Sequence, residues 1–166
     1  MGILSGKRGI IFGALDENSI AWKVALEAKK EGAIFTLSNA PVALRLGTIN
    51  ELATLCQSVV IPADATNTDD LDKLFDQSIA ELGGKIDFIL HSIGMSPNVR
   101  KEKPYTNLNY DFYLKSLDIS ALSLHKILQV AYQKDAINEY GSVVALSYIA
   151  AQRAFPFYGD MAEAKA

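Results

Sequence analysis

A doubly wound parallel α/β sheet is the fold class this sequence predicts, and three observations carry the prediction. Five short runs are almost continuously apolar, as strands covered on both faces must be. The segments between them place apolar residues at helical spacing. The two patterns alternate along the 166 residues with no internal repeat or low-complexity tract, the order expected of crossover units in a parallel sheet.

GIIFGA (9–14) reads as the first strand, ending in glycine and followed by a polar loop. In IAWKVALEAKKEG the apolar residues at 20, 21, 24, 25 and 28 share a helical face, and Gly32 suits the helix C-cap. AIFTLS (33–38) is a second buried strand, and the less regular stretch from Pro41 to Gln57 is expected to hold one helix. SVVIPAD (58–64) gives the third strand. From Asp69 to Leu82, the residues Leu71, Leu74, Phe75, Ile79 and Leu82 line one side of a helix. IDFILHSIG is the fourth strand with a glycine exit, a long helix runs from about Asn109 to Asp135, and SVVALSY (142–148) is the fifth strand. Right-handed crossovers then order the sheet 3-2-1-4-5, the Rossmann-like arrangement of dinucleotide-binding domains, with residues 1–166 forming one such domain.

Composition narrows the function. With 49% hydrophobic residues the chain can bury a real core, and a net charge of −3 with mixed signs offers neither a basic stripe for nucleic acid nor a polybasic membrane signal. The single cysteine, Cys56, has no partner within the chain, and the start MGILSGKRG lacks an apolar segment of signal-peptide length. A cytoplasmic protein is the expectation. His91 and His125 stand far apart with one cysteine, a poor basis for a zinc site.

Ligands of such sheets bind beyond the carboxyl ends of the strands. After the first strand, GALDENSIAW keeps only Gly13 of a G-x-G-x-x-G fingerprint, and Asp16 and Glu17 would repel phosphate unless they point into water. Asn18 or Ser19 opens the following helix, either as a phosphate-attracting terminus or as an ordinary N-cap. The second strand ends FTLSN, with no carboxylate for an adenosine ribose and no arginine beside it, so it leaves the choice between NADH and NADPH open. Asp64 is either an acceptor for an adenine amino group or a turn residue, and HSIG brings a small residue and Gly94 to the rim. His91, with no carboxylate or thiol near it in sequence, reads as a packed histidine. Beyond the fifth strand, a seven-residue step returns to within about 20° on a helix, which would set Tyr158 and Lys165 on one face two turns apart.

Five features together resemble the enoyl-acyl-carrier-protein reductases of bacterial fatty acid synthesis, a branch of the short-chain dehydrogenase/reductase superfamily. They are GKRGIIFG followed by SIAW, PAD at 62–64, HSIG, LDIS at 117–120, and LSY…Y-x6-K, and the likeness runs from Gly6 to the end. Most of that superfamily carries Tyr-x3-Lys, whereas position 162 here is alanine and the lysine lies a turn later; the usual serine is replaced by a second tyrosine, Tyr148. The resemblance implies reduction of a trans-2-enoyl thioester, carried by acyl carrier protein, with NADH. It gives Tyr158 the role of donor to the enolate oxygen and Lys165 that of holding the nicotinamide ribose. By the same resemblance Gly13, Ala14, Ser19, Ile20, Asp64, Ala65, Ser92, Ile93 and Gly94 contact the cofactor, and Met95, Ser96, Tyr148, Tyr158 and Met161 line the acyl pocket. A homodimer or homotetramer is implied as well, formed through the 109–135 helix, whose apolar residues occupy more than one face, and the helix bearing Tyr158.

Two other readings compete: a ketoacyl or alcohol reductase of the same superfamily, opposed by the seven-residue spacing, and a non-catalytic dinucleotide sensor, which would not need the Tyr/Lys pair. Arg45 could reach a 2′-phosphate if the cofactor were NADPH. The sequence also reads as the front part of a longer protein, not competent alone, because a sheet of this order adds a sixth strand beside the fifth.

Overall fold

A computed structural model describes residues 2–166. Its five parallel strands are β1 (Arg8–Phe12), β2 (Ile34–Ser38), β3 (Val59–Val60), β4 (Ile86–His91) and β5 (Ile137–Ala145), in the order β3-β2-β1-β4-β5. The expected fold class and order are both observed. Alternation along the central strand divides the core. Ile10 and Phe12 of β1 join Leu71, Leu74 and Phe75 of α4 (Thr68–Leu82) and Ile127 and Val130 of α7 (Ser123–Gln133). On the other face Ile11 meets Leu37, with Trp22 and Ala25 of α1 (Ile20–Lys30) and Leu52 of α3 (Ile49–Cys56). Successive strand residues face opposite ways, so a strand with helices on both sides must be apolar throughout.

Several boundaries differ from expectation, each for a local reason. β1 stops at Phe12, because Gly13 turns to φ +90°. The stretch 41–57 holds two helices, α2 (Pro41–Leu44) and α3. They are separated at Gly47, where a Cβ would lie 2.2 Å from the Leu15 carbonyl oxygen. β3 forms a ladder only at Val59–Val60, although Ile61 and Ala63 still donate to Leu37 and Asn39. A short helix not foreseen, α5 (Pro97–Arg100), follows β4. The long helix is α6 (Tyr110–Leu117) continued into α7 through a π-helical turn at Asp118–Leu122. β5 begins at Ile137, five residues early, and reaches Ser142 through an irregularity with Tyr140 at φ +61°. Asn138 anchors it by donating to Asp87 at 3.2 Å. As the last strand in the order, β5 is an edge, with Val144 54% exposed. Among the described residues no helix is long and apolar enough to cross a membrane.

Candidate active site

The carboxyl ends of β1, β2 and β4 converge at Gly13. Its N–H donates to Ser38 O at 3.0 Å, and an added Cβ would sit 1.9 Å from Ser92 O. Any side chain here would push the strand ends apart. The next residue, Ala14, is buried, and its carbonyl accepts from Asn39 Nδ2 at 2.9 Å. Asn39 therefore fixes the loop to the end of β2, a role that sequence reasoning missed; the only signal was an amide directly after an apolar strand.

Ser19 occupies the N-cap position of α1 but does not cap it. Its hydroxyl donates to Asp16 O at 2.7 Å and accepts from Leu15 N at 3.2 Å. The first-turn N–H groups of an 11-residue helix are thus left without a side-chain partner, at the rim, where the helix dipole favours an anion. Asp16 accepts from Asn18 N at 2.9 Å and Glu17 is exposed, so neither carboxylate needs to enter the loop. Ile20, the first helical residue, is 61% exposed.

Next to this loop is a cleft of about 220 Å³ lined by Phe12, Asn39, Asp64, Ala65, Ile93 and Met95, among others. Asp64 holds Thr66 through Oδ1, accepting from its N–H at 2.9 Å and its hydroxyl at 2.7 Å. Among the described residues Oδ2 receives no such bond. The Ser38 hydroxyl, buried at the end of β2, is also without a partner. Met95, expected in an acyl pocket, lines this cleft beside Asp64.

On the β4–β5 side, Lys165 closes the rim. It is the last residue of α8 (Gly159–Lys165), and its Nζ donates to Ile93 O at 2.7 Å and Leu146 O at 3.0 Å. An ammonium has three protons, so one donor remains for a ligand. A Cβ on Gly94 would lie 3.3 Å from the lysine Cε, so the absence of a side chain at the strand exit leaves the ammonium stem room to lie across it. Burial pushes the Lys165 pKa down.

Tyr158 does not stand on the helix. It is the residue before α8, with φ −120° and ψ 19°, so the two-turn spacing to Lys165 is not a helical repeat. A different device orients it: its ring packs at 5.1 Å between centroids on Tyr148, which in turn lies 5.9 Å from Phe155. Burial, and then Tyr148, raise the Tyr158 pKa, so the hydroxyl keeps its proton at neutral pH. Tyr148 is 47% exposed beyond the end of β5, where a substrate could reach it, and Met161, in the first turn of α8, is buried. Ser96 is a correction. It is buried, and its hydroxyl is committed to Asp160 and Val99, so it does not face a pocket.

His91 is packed, as the sequence suggests. Ser123 gives its hydroxyl proton to Ile119 O at 2.6 Å, so Nε2 of His91 must donate to Ser123 Oγ across 2.8 Å. Burial, with the charge of Lys165 second, lowers the His91 pKa to about 4. Because the unfolded chain binds this proton from about pH 6.5 downward, stability is full above that pH. Roughly 3 kcal/mol is then lost as the pH falls toward 4. Urea unfolding at pH 7 and pH 5 should show about 2 kcal/mol of this loss in the native protein and much less of it in His91→Gln.

A family model for enoyl-(acyl carrier protein) reductase matches residues 13–166. The chain belongs to this family. It is 34% identical to an NADH enoyl-[acyl-carrier-protein] reductase, FabI, of Rickettsia bellii, over 99% of this chain and 62% of the relative. It is also 34% identical to the FabI of Salmonella typhimurium, over 100% and 63%. Among solved structures, the FabI–NADH complex of Alistipes finegoldii superposes with a TM-score of 0.95 at 60% identity, covering 98% of this chain and 57% of that one. An enoyl-(acyl-carrier-protein) reductase of Anaplasma phagocytophilum in complex with NAD gives 0.88 at 26% identity, covering 99% and 63%. The chain spans about three fifths of the length of the relatives it matches.

Proposed function

We propose that this chain forms the dinucleotide-binding part of a cytoplasmic NADH-dependent reductase of trans-2-enoyl thioesters carried by acyl carrier protein. The observation that carries the reading is the pair of tyrosines, Tyr148 and Tyr158, whose rings pack at a tilt beside a rim closed by Lys165. Four features fit a dinucleotide: the close approach at Gly13, the uncapped start of α1, the free Oδ2 of Asp64 and the third donor of Lys165. Gly13, Ala14, Ser19 and Ile20 would then flank the pyrophosphate, Asp64 and Ala65 the adenine, and Ser92, Ile93, Gly94 and Lys165 the nicotinamide ribose. The cofactor, when bound, supplies hydride to the β-carbon of the enoyl group.

The protein's own contribution is electrostatic. As negative charge gathers on the thioester oxygen, the Tyr158 hydroxyl donates to it, and a preorganised donor acts most strongly where charge develops. Lys165 orients the ribose and keeps the local potential positive. Tyr148 and Met161 would border the acyl chain. NADH is favoured over NADPH because the Rickettsia bellii and Salmonella typhimurium relatives are named NADH enzymes and the end of β2 presents no basic residue. Following NADH absorbance with crotonyl and 3-ketoacyl thioesters side by side tests the reading: oxidation is expected with the enoyl substrate alone.

The same reading includes self-association through the helix of residues 109–135 together with α8, supported by Tyr110, Leu114 and Tyr132 of α6 and α7 and Leu122 of the π turn between them, all more than half exposed. Light scattering of the natural gene product is expected to give a dimer or tetramer; a concentration-independent monomer would reject it.

A further inference from the structure

Asp160 is fully buried and, among the described residues, forms no salt bridge. A lone carboxylate in such a place is expensive unless hydrogen bonds replace its water. Three side chains do so. Ser96 Oγ shares its proton between the two oxygens at 2.8 and 2.9 Å, Asn98 Nδ2 donates to Oδ2 at 3.0 Å, and Ser116 Oγ, 2.7 Å from Oδ2 and 2.8 Å from Phe112 O, shares its one proton between those two acceptors. The donors come from separate pieces of chain. Ser96 caps α5, accepting from Val99 N at 3.0 Å. Asn98 also brackets Asn109, donating to its carbonyl and accepting from its N–H, each at 3.0 Å. Asn109 in turn caps α6, which carries Ser116.

The carboxylate is thus a knot joining the loop after β4, the start of α6 and the first turn of α8. Two residues before it stands Tyr158, and next to that is Phe157 at φ +59°, a left-handed conformation that a bulky side chain adopts only when its surroundings impose it. Tyr158 itself is the N-cap residue of α8: its carbonyl accepts from Ala162 N at 2.8 Å, which ties its backbone to the helix, while its ring is held by packing on Tyr148. We infer that Asp160 is a positioning residue for Tyr158: by fixing the first turn of α8 against the Met95–Ser96 loop it holds Phe157 in its strained state and keeps the tyrosine ring on Tyr148. The inference rests on the reductase reading for its catalytic consequence, but not for the clamp itself.

The test uses the natural gene product carrying Asp160→Asn, which keeps the shape and loses the charge, and Ser116→Ala, which removes one donor. Amide hydrogen exchange is measured without substrate. The clamp predicts faster exchange, by about 10-fold or more, at residues 97–100 and 159–165 together, with β1 and β4 unchanged. In enoyl thioester turnover, kcat should fall about 10- to 100-fold in Asp160→Asn, and less in Ser116→Ala, while NADH affinity stays within about twofold. A residue serving only global stability would instead lower the melting temperature and degrade kcat and NADH affinity together. Unchanged exchange at both segments, wild-type kcat, or parallel loss of kcat and NADH affinity overturns the inference; if Asp160→Asn does not fold, Ser116→Ala decides by the same criteria. Should the wild-type protein reduce no enoyl thioester, the reductase reading fails, and the exchange pattern still decides on the clamp.

Discussion

Tyr158→Phe in the natural gene product should lower kcat for enoyl thioester reduction by about 100-fold while leaving NADH affinity within about twofold, since removing one donor aimed at a developing oxyanion costs on that order. The substitution keeps the ring and therefore the 5.1 Å packing on Tyr148, so the fold around it has no reason to move. The physical content lies in the split between the two constants. A hydroxyl that meets the substrate oxygen only as charge appears contributes little to the ground state. Steady-state kinetics combined with NADH fluorescence titration would reveal it; a variant with normal kcat would remove Tyr158 from the chemistry.

Lys165→Met should show the opposite pattern, with NADH affinity weakened about 10- to 100-fold, the range expected for losing a charge-assisted hydrogen bond. Methionine preserves the aliphatic stem beside Gly94, so the loss is of the ammonium alone. Part of the effect will be indirect, because Ile93 O and Leu146 O lose the donor that ties the ends of β4 and β5 together. Those bonds at 2.7 and 3.0 Å also explain how a residue at the very end of α8 is held firmly enough to serve. Normal NADH binding by this variant would refute the role given to the lysine.

Much of the fold could be read from the sequence because burial on two faces leaves a mark. β1, β2 and β4 are apolar at nearly every position, and α4 carries Leu71, Leu74 and Phe75 at helical spacing, so both periods were visible. Features that depend on distant atoms were not. The break at Gly47 is set by the Leu15 carbonyl and the early start of β5 by Asp87, neither of which is a neighbour in sequence. The π turn at Asp118–Leu122 changes the hydrogen-bond step without disturbing the apolar pattern, so the helix reads as continuous.

The candidate site divides in the same way. Gly13, Asp64, Gly94 and Lys165 are found at the rim where the strand-end rule puts them. The shared helical face expected of Tyr158 and Lys165 is not present, since the tyrosine stands before α8. The family resemblance puts Ser96 in the acyl pocket, whereas its hydroxyl is bound 64 residues away at Asp160. A buried carboxylate of this kind has no signature in one dimension: in sequence, Asp160 looks like an ordinary acidic residue at a helix start.

The most direct measurement supplies the natural gene product with an enoyl thioester and NADH deuterated at C4 of the nicotinamide, then determines the product by mass spectrometry and NMR. The account predicts a saturated acyl thioester with deuterium at its β-carbon, formed by the wild type and slowed in Tyr158→Phe without a change of label position. A hydroxyacyl product from a ketoacyl substrate with the enoyl thioester untouched, or label at any other carbon, would contradict it.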